Sequence, residues 1–192
     1  MNEIHNKLLK LISMFHTESE KQRLQYLIDG GTLLGAIRNA GIIPHDDDID
    51  IIVFEEDEEK LLNVLTKLSC AWCSFKSGYK LFFTDGSPIK NYLWHYPFLD
   101  ILIVNLIDKK TRYRSGLWRS CYHEEKDIYP LKQYKFNDLL LYGPDCPLPY
   151  LDRAYKDWDK KIVTHNWDHK NEKRLKQKVL PLLDGDYRTK YE

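Results

Sequence analysis

Residues 45–54 read HDDDIDIIVF. Asp46, Asp47, Asp48 and Asp50 place four carboxylates within five positions, directly ahead of an apolar run with the β-branched composition of a buried strand. Like charges at neighbouring strand positions repel, and burying a charge without a partner is costly. Any fold containing this stretch must bring positive charge to the mouth of the strand, from its own side chains or from a bound ion. Strand side chains two positions apart share a face about 6.6 Å apart, from about 3.3 Å of rise per residue. Asp48 and Asp50 thus face one way, and Ile49 and Ile51 the other.

Around this stretch helices and strands alternate. Ile4, Leu8, Leu11, Ile12 and Phe15 recur at helical spacing and predict an amphipathic helix from residue 3 to about 18. RLQYLID (23–29) reads as a strand, Gly30-Gly31 as a turn, and TLLGAIRN as a helix capped by Thr32. A turn at Gly41 and Pro44 precedes the strand DIDIIVF. Residues 55–69 predict a helix with an acidic first turn and Leu61, Leu62, Val64, Leu65 and Leu68 inward. YKLFF (79–83) and FLDILIVN (98–105) are further strands, and PLPYLDRAYKDW (147–158) predicts a short helix. This order implies an α/β or α+β fold with one mixed β-sheet flanked by helices.

At 192 residues and 43% hydrophobic content the chain can bury one sizeable core. We expect one domain over 1–158 and a polar C-terminal extension over 159–192, either packed on that domain or loosely attached. Twenty-nine basic against 29 acidic residues leave no net charge, which removes the electrostatic case for a nucleic-acid partner. No apolar stretch approaches the roughly 20 residues of a membrane span, and MNEIHNKLLK lacks the apolar length of a signal peptide. A cytoplasmic location is the default expectation. Four cysteines are too few for a disulfide framework in a chain this long. CAWC at 70–73 has the spacing of a zinc half-site that Cys121 and His123 could complete, and the plainer expectation is reduced, mostly buried thiols.

Asp100 is a third acid embedded in an apolar strand, FLDILIV. Asp48, Asp50 and Asp100 on two adjacent strands would make an oxygen-only site suited to a hard cation, Mg2+ or Mn2+. Gly30, Gly31 and Thr32 sit between a strand and a helix N-terminus, where backbone N–H groups can cradle a phosphate. A glycine pair alone is often only a tight turn. Joined to the acid pair at 48–50 and the acid at 100, it points to phosphoryl chemistry.

The stretch DGGTLLGAIRNAGIIPHDDDIDI resembles the signature of the LicD family of phosphotransferases, a group that includes the fukutin-related ribitol-phosphate transferases. The resemblance is dense from Tyr26 to Ile52, extends to FLDI, and resumes more loosely in YPLKQYKFNDLLLYGPDCPLPYLDRAYKDW. Residues 106–127 and 160–192 lie outside it, and His45 stands where one common family variant carries tryptophan. It implies a nucleotidyltransferase fold. It also implies transfer of a phosphorylated alcohol, such as phosphocholine or ribitol phosphate, from a CDP-activated donor to a glycan hydroxyl, releasing CMP.

Such chemistry depends on positioning and charge neutralisation, and two cations about 4 Å apart would clamp the attacking and leaving oxygens. Asp48 and Asp50 would bridge both ions, with Asp100 on the one that activates the acceptor. Arg38 is the candidate phosphate clamp, against a solvated arginine at a helix end. Asp46 and Asp47 would orient metal-bound water or fix the turn, and His45 would relay a proton or orient its neighbours. Two other readings use the same residues: a nucleotidyltransferase attaching NMP from an NTP to a small molecule or macromolecule, and a non-catalytic nucleotide-binding module. The intact acids speak against the module. The segments left for acceptor recognition, 106–127 and the tail, carry no readable motif.

Overall fold

The computed structural model describes residues 2–182, 187–188 and 191 of the chain. Residues 183–186, 189–190 and 192, within the 159–192 extension, lie outside the described residues, as does Met1. α1 (Glu3–Gln22) is capped by Asn2, whose side chain accepts the His5 N–H at 2.8 Å. It buries Leu8, Leu11, Ile12 and Phe15, and runs a turn beyond the expected end because Ser19 is buried and Arg23 closes the helix in the left-handed conformation. β1 (Leu27–Ile28) is much shorter than the stretch 23–29 suggested. An edge strand among the described residues, it pairs with the next strand through Leu27 opposite Ile52 and Ile28 opposite Ile51.

α2 (Gly30–Asn39) and β2 (Ile49–Phe54) follow, then a short 3-10 turn at Glu55–Asp57 that leads into α3 (Glu58–Lys67). Leu61, Val64 and Leu65 of α3 are buried, while Leu62 and Leu68 are only partly so. β3 (Ala71–Phe75), which the sequence did not signal, pairs with β4 (Gly78–Pro88), and β5 (His95–Ile107) and β6 (Lys110–Tyr113) complete the main sheet. Beyond it lie α4 (Glu125–Ile128), the hairpin of β7 (Lys132–Phe136) and β8 (Leu139–Gly143), and α5 (Leu148–Ala154). The tail forms β9 (Lys161–Val163), β10 (Trp167–Asp168), β11 (Lys173–Arg174) and β12 (Val179–Pro181), paired as β9 with β12 and β10 with β11.

The sheet order is β1-β2-β5-β4-β3, with β6 also on β5. β2 and β5 run parallel and the other pairs antiparallel, so the expected mixed sheet flanked by helices is present. Ile49, Ile51 and Val53 of β2, Leu99, Ile101 and Ile103 of β5, and Tyr79 and Leu81 of β4 face the main core with α1, α2 and α3. The opposite face carries Asp50, Asp100 and Lys80 between two smaller apolar clusters. One contains Leu27, Ile52, Leu102 and Val104, and the other Phe82, Ile89, Tyr96 and Phe98. Among the described residues no helix is long and apolar enough to cross a membrane.

The cysteines are free, with Cys70 and Cys73 half-buried beside and within β3. Burial pushes the Cys70 thiol up to about 11. Among the described residues the clusters with metal-ligand spacing are built from Asp and His, and Cys121 and His123 do not complete a zinc site with CAWC at 70–73.

Gly78 makes the β4–β5 pairing close. At its φ of +154° a Cβ would stand 2.0 Å from the Ile101 carbonyl oxygen, a backbone atom of the central strand. Gly78→Ala is expected to lose about 3 kcal/mol of stability. A urea melt measures it, and a loss under about 1 kcal/mol would show that β4 can shift to admit the methyl group.

Candidate active site

The strand register builds the acid cluster. Asp50 lies opposite Asp100 in the parallel β2–β5 pair, and Lys80 lies opposite Asp100 in the antiparallel β4–β5 pair. Asp48 immediately precedes β2 and joins from the same face. One carboxylate oxygen from each of Asp48, Asp50 and Asp100 lies within 4.8 Å of the others. Burial, and then the neighbouring carboxylates, push Asp50 well above the usual carboxylate range. Burial also raises Asp48, to about 7, although His169 pulls against it.

Basic side chains reach the acids from three directions. Lys80 Nζ stands 2.5 Å from Asp100 Oδ1, with both side chains buried. His169 presents both ring nitrogens to acids, Nδ1 2.7 Å from Asp47 Oδ1 and Nε2 3.1 Å from Asp48 Oδ2. Only the imidazolium has two donors for this arrangement. Burial works against its charge, yet Asp48 and Asp47 hold its pKa up at about 10. His165 Nδ1 lies 3.8 Å from Asp46 Oδ1. The tail, expected to be a polar extension, therefore brings two imidazoles to the acidic stretch.

The glycine turn closes against the same acids. α2 begins at Gly30, not Thr32, and Gly30 adopts a φ of +54° that favours glycine. A Cβ there would stand 2.8 Å from Asp50 Oδ2, and a Cβ on Gly31 2.6 Å from Asp46 Oδ2. The missing side chains thus let the carboxylates approach the helix N-terminus, where its dipole favours negative charge. Thr32 does not cap the helix. It is buried in the first turn, and its hydroxyl accepts the Asp50 backbone N–H at 2.8 Å, pinning β2 to α2.

Asp29, in the N-cap position, is committed elsewhere. His123 Nε2 lies 2.9 Å from Asp29 Oδ1, and the Tyr113 hydroxyl donates to Oδ2. Burial opposes the Asp29 charge, but these hydrogen bonds overcome it and hold the carboxyl below its usual range. His123 stacks on Tyr150 with ring centroids 4.1 Å apart, and the Tyr150 hydroxyl accepts the Gly30 N–H at 3.2 Å. A buried aromatic brace thereby fixes the first residue of α2.

A cavity of about 550 Å3 joins these parts, lined by Gly30, Gly31, Asp46, Asp48, Asp50 and Asp100 on one side and by His165, Asn166, Trp167 and Glu172 of the tail on another. Arg38 and His45 also line it. Arg38 belongs to the last turn of α2, and its Nη1 donates to the Trp158 carbonyl at 3.3 Å. The His45 ring lies 6.1 Å from that of His165, and burial lowers its pKa. The Asp46 carbonyl accepts from His5 Nε2 at 2.9 Å, which ties the acidic turn to α1. Of the residues expected at the site, Gly30, Gly31, Arg38, His45, Asp46, Asp48, Asp50 and Asp100 line this cavity, and Thr32 and Asp47 lie outside its lining. His165, His169, Asp29 and His123 were not anticipated. Nothing in THNWDHK or CYHEE marks these histidines, because their partners lie 94 to 122 positions away.

A family model described as LicD/FKTN/FKRP, nucleotidyltransferase domain, matches residues 23–146. The uncharacterized protein RP689 of Rickettsia prowazekii is 35% identical over 163 residues, covering 83% of this chain and 58% of that protein. The lipopolysaccharide cholinephosphotransferase LicD of Haemophilus influenzae is 39% identical over 56 residues, 29% of this chain and 21% of that protein. This chain thus spans little more than half of the former and about a fifth of the latter. Among solved structures, the lincosamide antibiotic adenylyltransferase LnuA with lincomycin bound is 17% identical, with 77% of this chain and 87% of that chain covered at a TM-score of 0.48.

The Thr32 hydroxyl can be tested at nearly constant shape. Thr32→Val removes the acceptor of a buried backbone N–H and is expected to cost about 1–3 kcal/mol in denaturant unfolding. A cost under about 0.5 kcal/mol would mean that the Asp50 N–H finds another acceptor.

Proposed function

The chain belongs to the LicD family through its nucleotidyltransferase domain, and from that premise we propose that it is a divalent-metal-dependent transferase of phosphorylated alcohols. The donor would be a CDP-activated alcohol and the acceptor a glycan hydroxyl. The observation that carries this reading is the convergence of Asp48, Asp50 and Asp100 on one point in the cavity, beside a glycine-initiated helix N-terminus.

In the reaction the acceptor oxygen bonds to the phosphorus that bears the alcohol. The bond from that phosphorus to the oxygen bridging to CMP breaks, and CMP leaves with the electron pair. The acceptor's proton passes to a carboxylate or to solvent. The donor set fits a hard cation, since three carboxylates offer oxygen alone and their mutual repulsion favours a positive guest. Asp48, Asp50 and Asp100 would hold Mg2+ or Mn2+, and a bound ion would supply charge neutralisation for the phosphates. Lys80 already neutralises one oxygen of Asp100, which supports one ion held by the triad more readily than two.

The chain's own residues have separable parts in this scheme. Gly30 and Gly31 line the cavity where α2 meets Asp46 and Asp50, so the diphosphate would lie along this wall with an ion between it and the carboxylates, and Arg38 reaches the same cavity as its clamp. Asp46 and Asp47, held by His165 and His169, set the shape of the acidic turn. His45 lines the wall between them and orients its neighbours.

Two measurements test the proposal. A cation at about 100 times its Kd stabilises the folded state by about 2.7 kcal/mol, equivalent to a rise in Tm of about 5–10 °C for a domain of this size. Mg2+ or Mn2+ should produce such a rise in the wild type and none in Asp50→Asn. The same variant should keep its fold while transfer from a CDP-alcohol falls about 100-fold or more. An unchanged Tm in millimolar metal, with and without nucleotide, would count against the site. Release of pyrophosphate from an NTP, in place of CMP from a CDP-alcohol, would instead identify a nucleotidyltransferase.

A further inference from the structure

Lys80 has an unusual setting for a lysine. Besides its ion pair with Asp100, its Nζ lies 3.6 Å from the ring centroid of Phe98, 4.8 Å from Phe75 and 5.0 Å from Trp94. A cation within about 6 Å over a ring face is attracted by the ring quadrupole, and aromatic rings gathered around one point form the box that recognises quaternary ammonium ligands. Here three rings and a carboxylate make such a box, and the chain's own lysine fills it.

The box is built firmly. Tyr92 packs on Trp94 with ring centroids 4.4 Å apart, and Glu172 of the tail accepts from Trp94 Nε1 at 3.4 Å and from Trp167 Nε1 at 3.1 Å. Phe98 is fully buried. The box also adjoins the reacting centre, since Asp100 belongs both to it and to the acid triad, and Phe75, Lys80 and Trp94 line the same cavity. A group attached to the phosphorus held beside Asp100 therefore falls next to these rings.

We propose that Lys80 determines donor specificity: it occupies the aromatic box, bars cationic alcohols of the choline type, and leaves the site to a donor carrying an uncharged polyol. The proposal deepens the CDP-alcohol reading and rests on it. A trimethylammonium group entering the box would have to expel Nζ from three rings and a carboxylate, stranding a buried charge without partners. A polyol needs only hydrogen-bonding groups, and the carboxylates and imidazoles of the cavity supply them.

The first arm of the test needs no nucleotide. Tetramethylammonium binding is followed by saturation-transfer NMR on its methyl signal, with circular-dichroism melts showing which variants are folded. Wild type should show no saturable binding, Lys80→Ala should empty the box and gain at least about tenfold in affinity, and Lys80→Met should keep it filled and behave as wild type. The second arm is calorimetry on the unmodified protein in Mg2+, where CDP-ribitol or CDP-glycerol should bind at least about tenfold more tightly than CDP-choline. Saturable tetramethylammonium binding to wild type, no gain in a folded Lys80→Ala, or CDP-choline bound as tightly as the polyol donors would each overturn the proposal. If Lys80→Ala does not fold, the calorimetry on wild type decides. Failure of every CDP-alcohol to bind while CTP or ATP binds would remove the CDP-alcohol reading and the polyol assignment with it, and the tetramethylammonium arm would then judge the occupied box alone.

Discussion

One row of the sheet register, Asp50 beside Asp100 beside Lys80 on three consecutive strands, is the arrangement from which the rest of the site is built. The register is set by the other face, where Ile49, Ile51, Leu99, Ile101, Tyr79 and Leu81 interdigitate with the helices. A slip of one residue would turn the carboxylates into that core and the isoleucines out of it. The apolar face therefore does the aligning, and the charged row follows from alternation. Because β2 and β5 are parallel, both acids arrive at the same end of the sheet, close to the N-terminus of α2.

Concentrated negative charge on a buried surface has to be balanced, and the molecule balances it unevenly. Asp100 is paired directly with Lys80, while Asp47 and Asp48 share one imidazolium, His169. Among the described residues Asp50 has no comparable partner, and it is pushed well above the usual carboxylate range. An incompletely balanced triad costs stability by itself and favours a cationic guest, which is how a site can be strained in isolation and suited to its ligand. The counter-charges come from distant parts of the chain, so the balance exists only in the folded state.

The helix N-terminus is held with similar economy. Gly30 and Gly31 carry no side chain, so the carboxylates of Asp50 and Asp46 close on α2, and Thr32 bonds the strand to the helix through the Asp50 N–H. Asp29, His123, Tyr113 and Tyr150 form the brace beneath this junction. Buried hydrogen bonds of this kind fix geometry, because any displacement leaves a donor or acceptor without its partner.

The sequence by itself determined the fold class, the strand carrying Asp48 and Asp50, the strand carrying Asp100 and the glycine turn, because each is written in local periodicity or in a short motif. It left the edge strand β1 too long and missed β3, whose pairing with β4 comes from a neighbour and not from its own alternation. It placed Thr32 at a helix cap, since the hydroxyl's true partner, Asp50, becomes available only when β2 packs on α2. Which basic residues answer the acidic stretch could not be read along the chain. Lys80 reaches Asp100 by antiparallel register, and His165 and His169 reach Asp46, Asp47 and Asp48 by the return of the tail over the cavity. Short-range pattern specifies where charge must be compensated, and only tertiary packing decides which residues, far apart in sequence, do it.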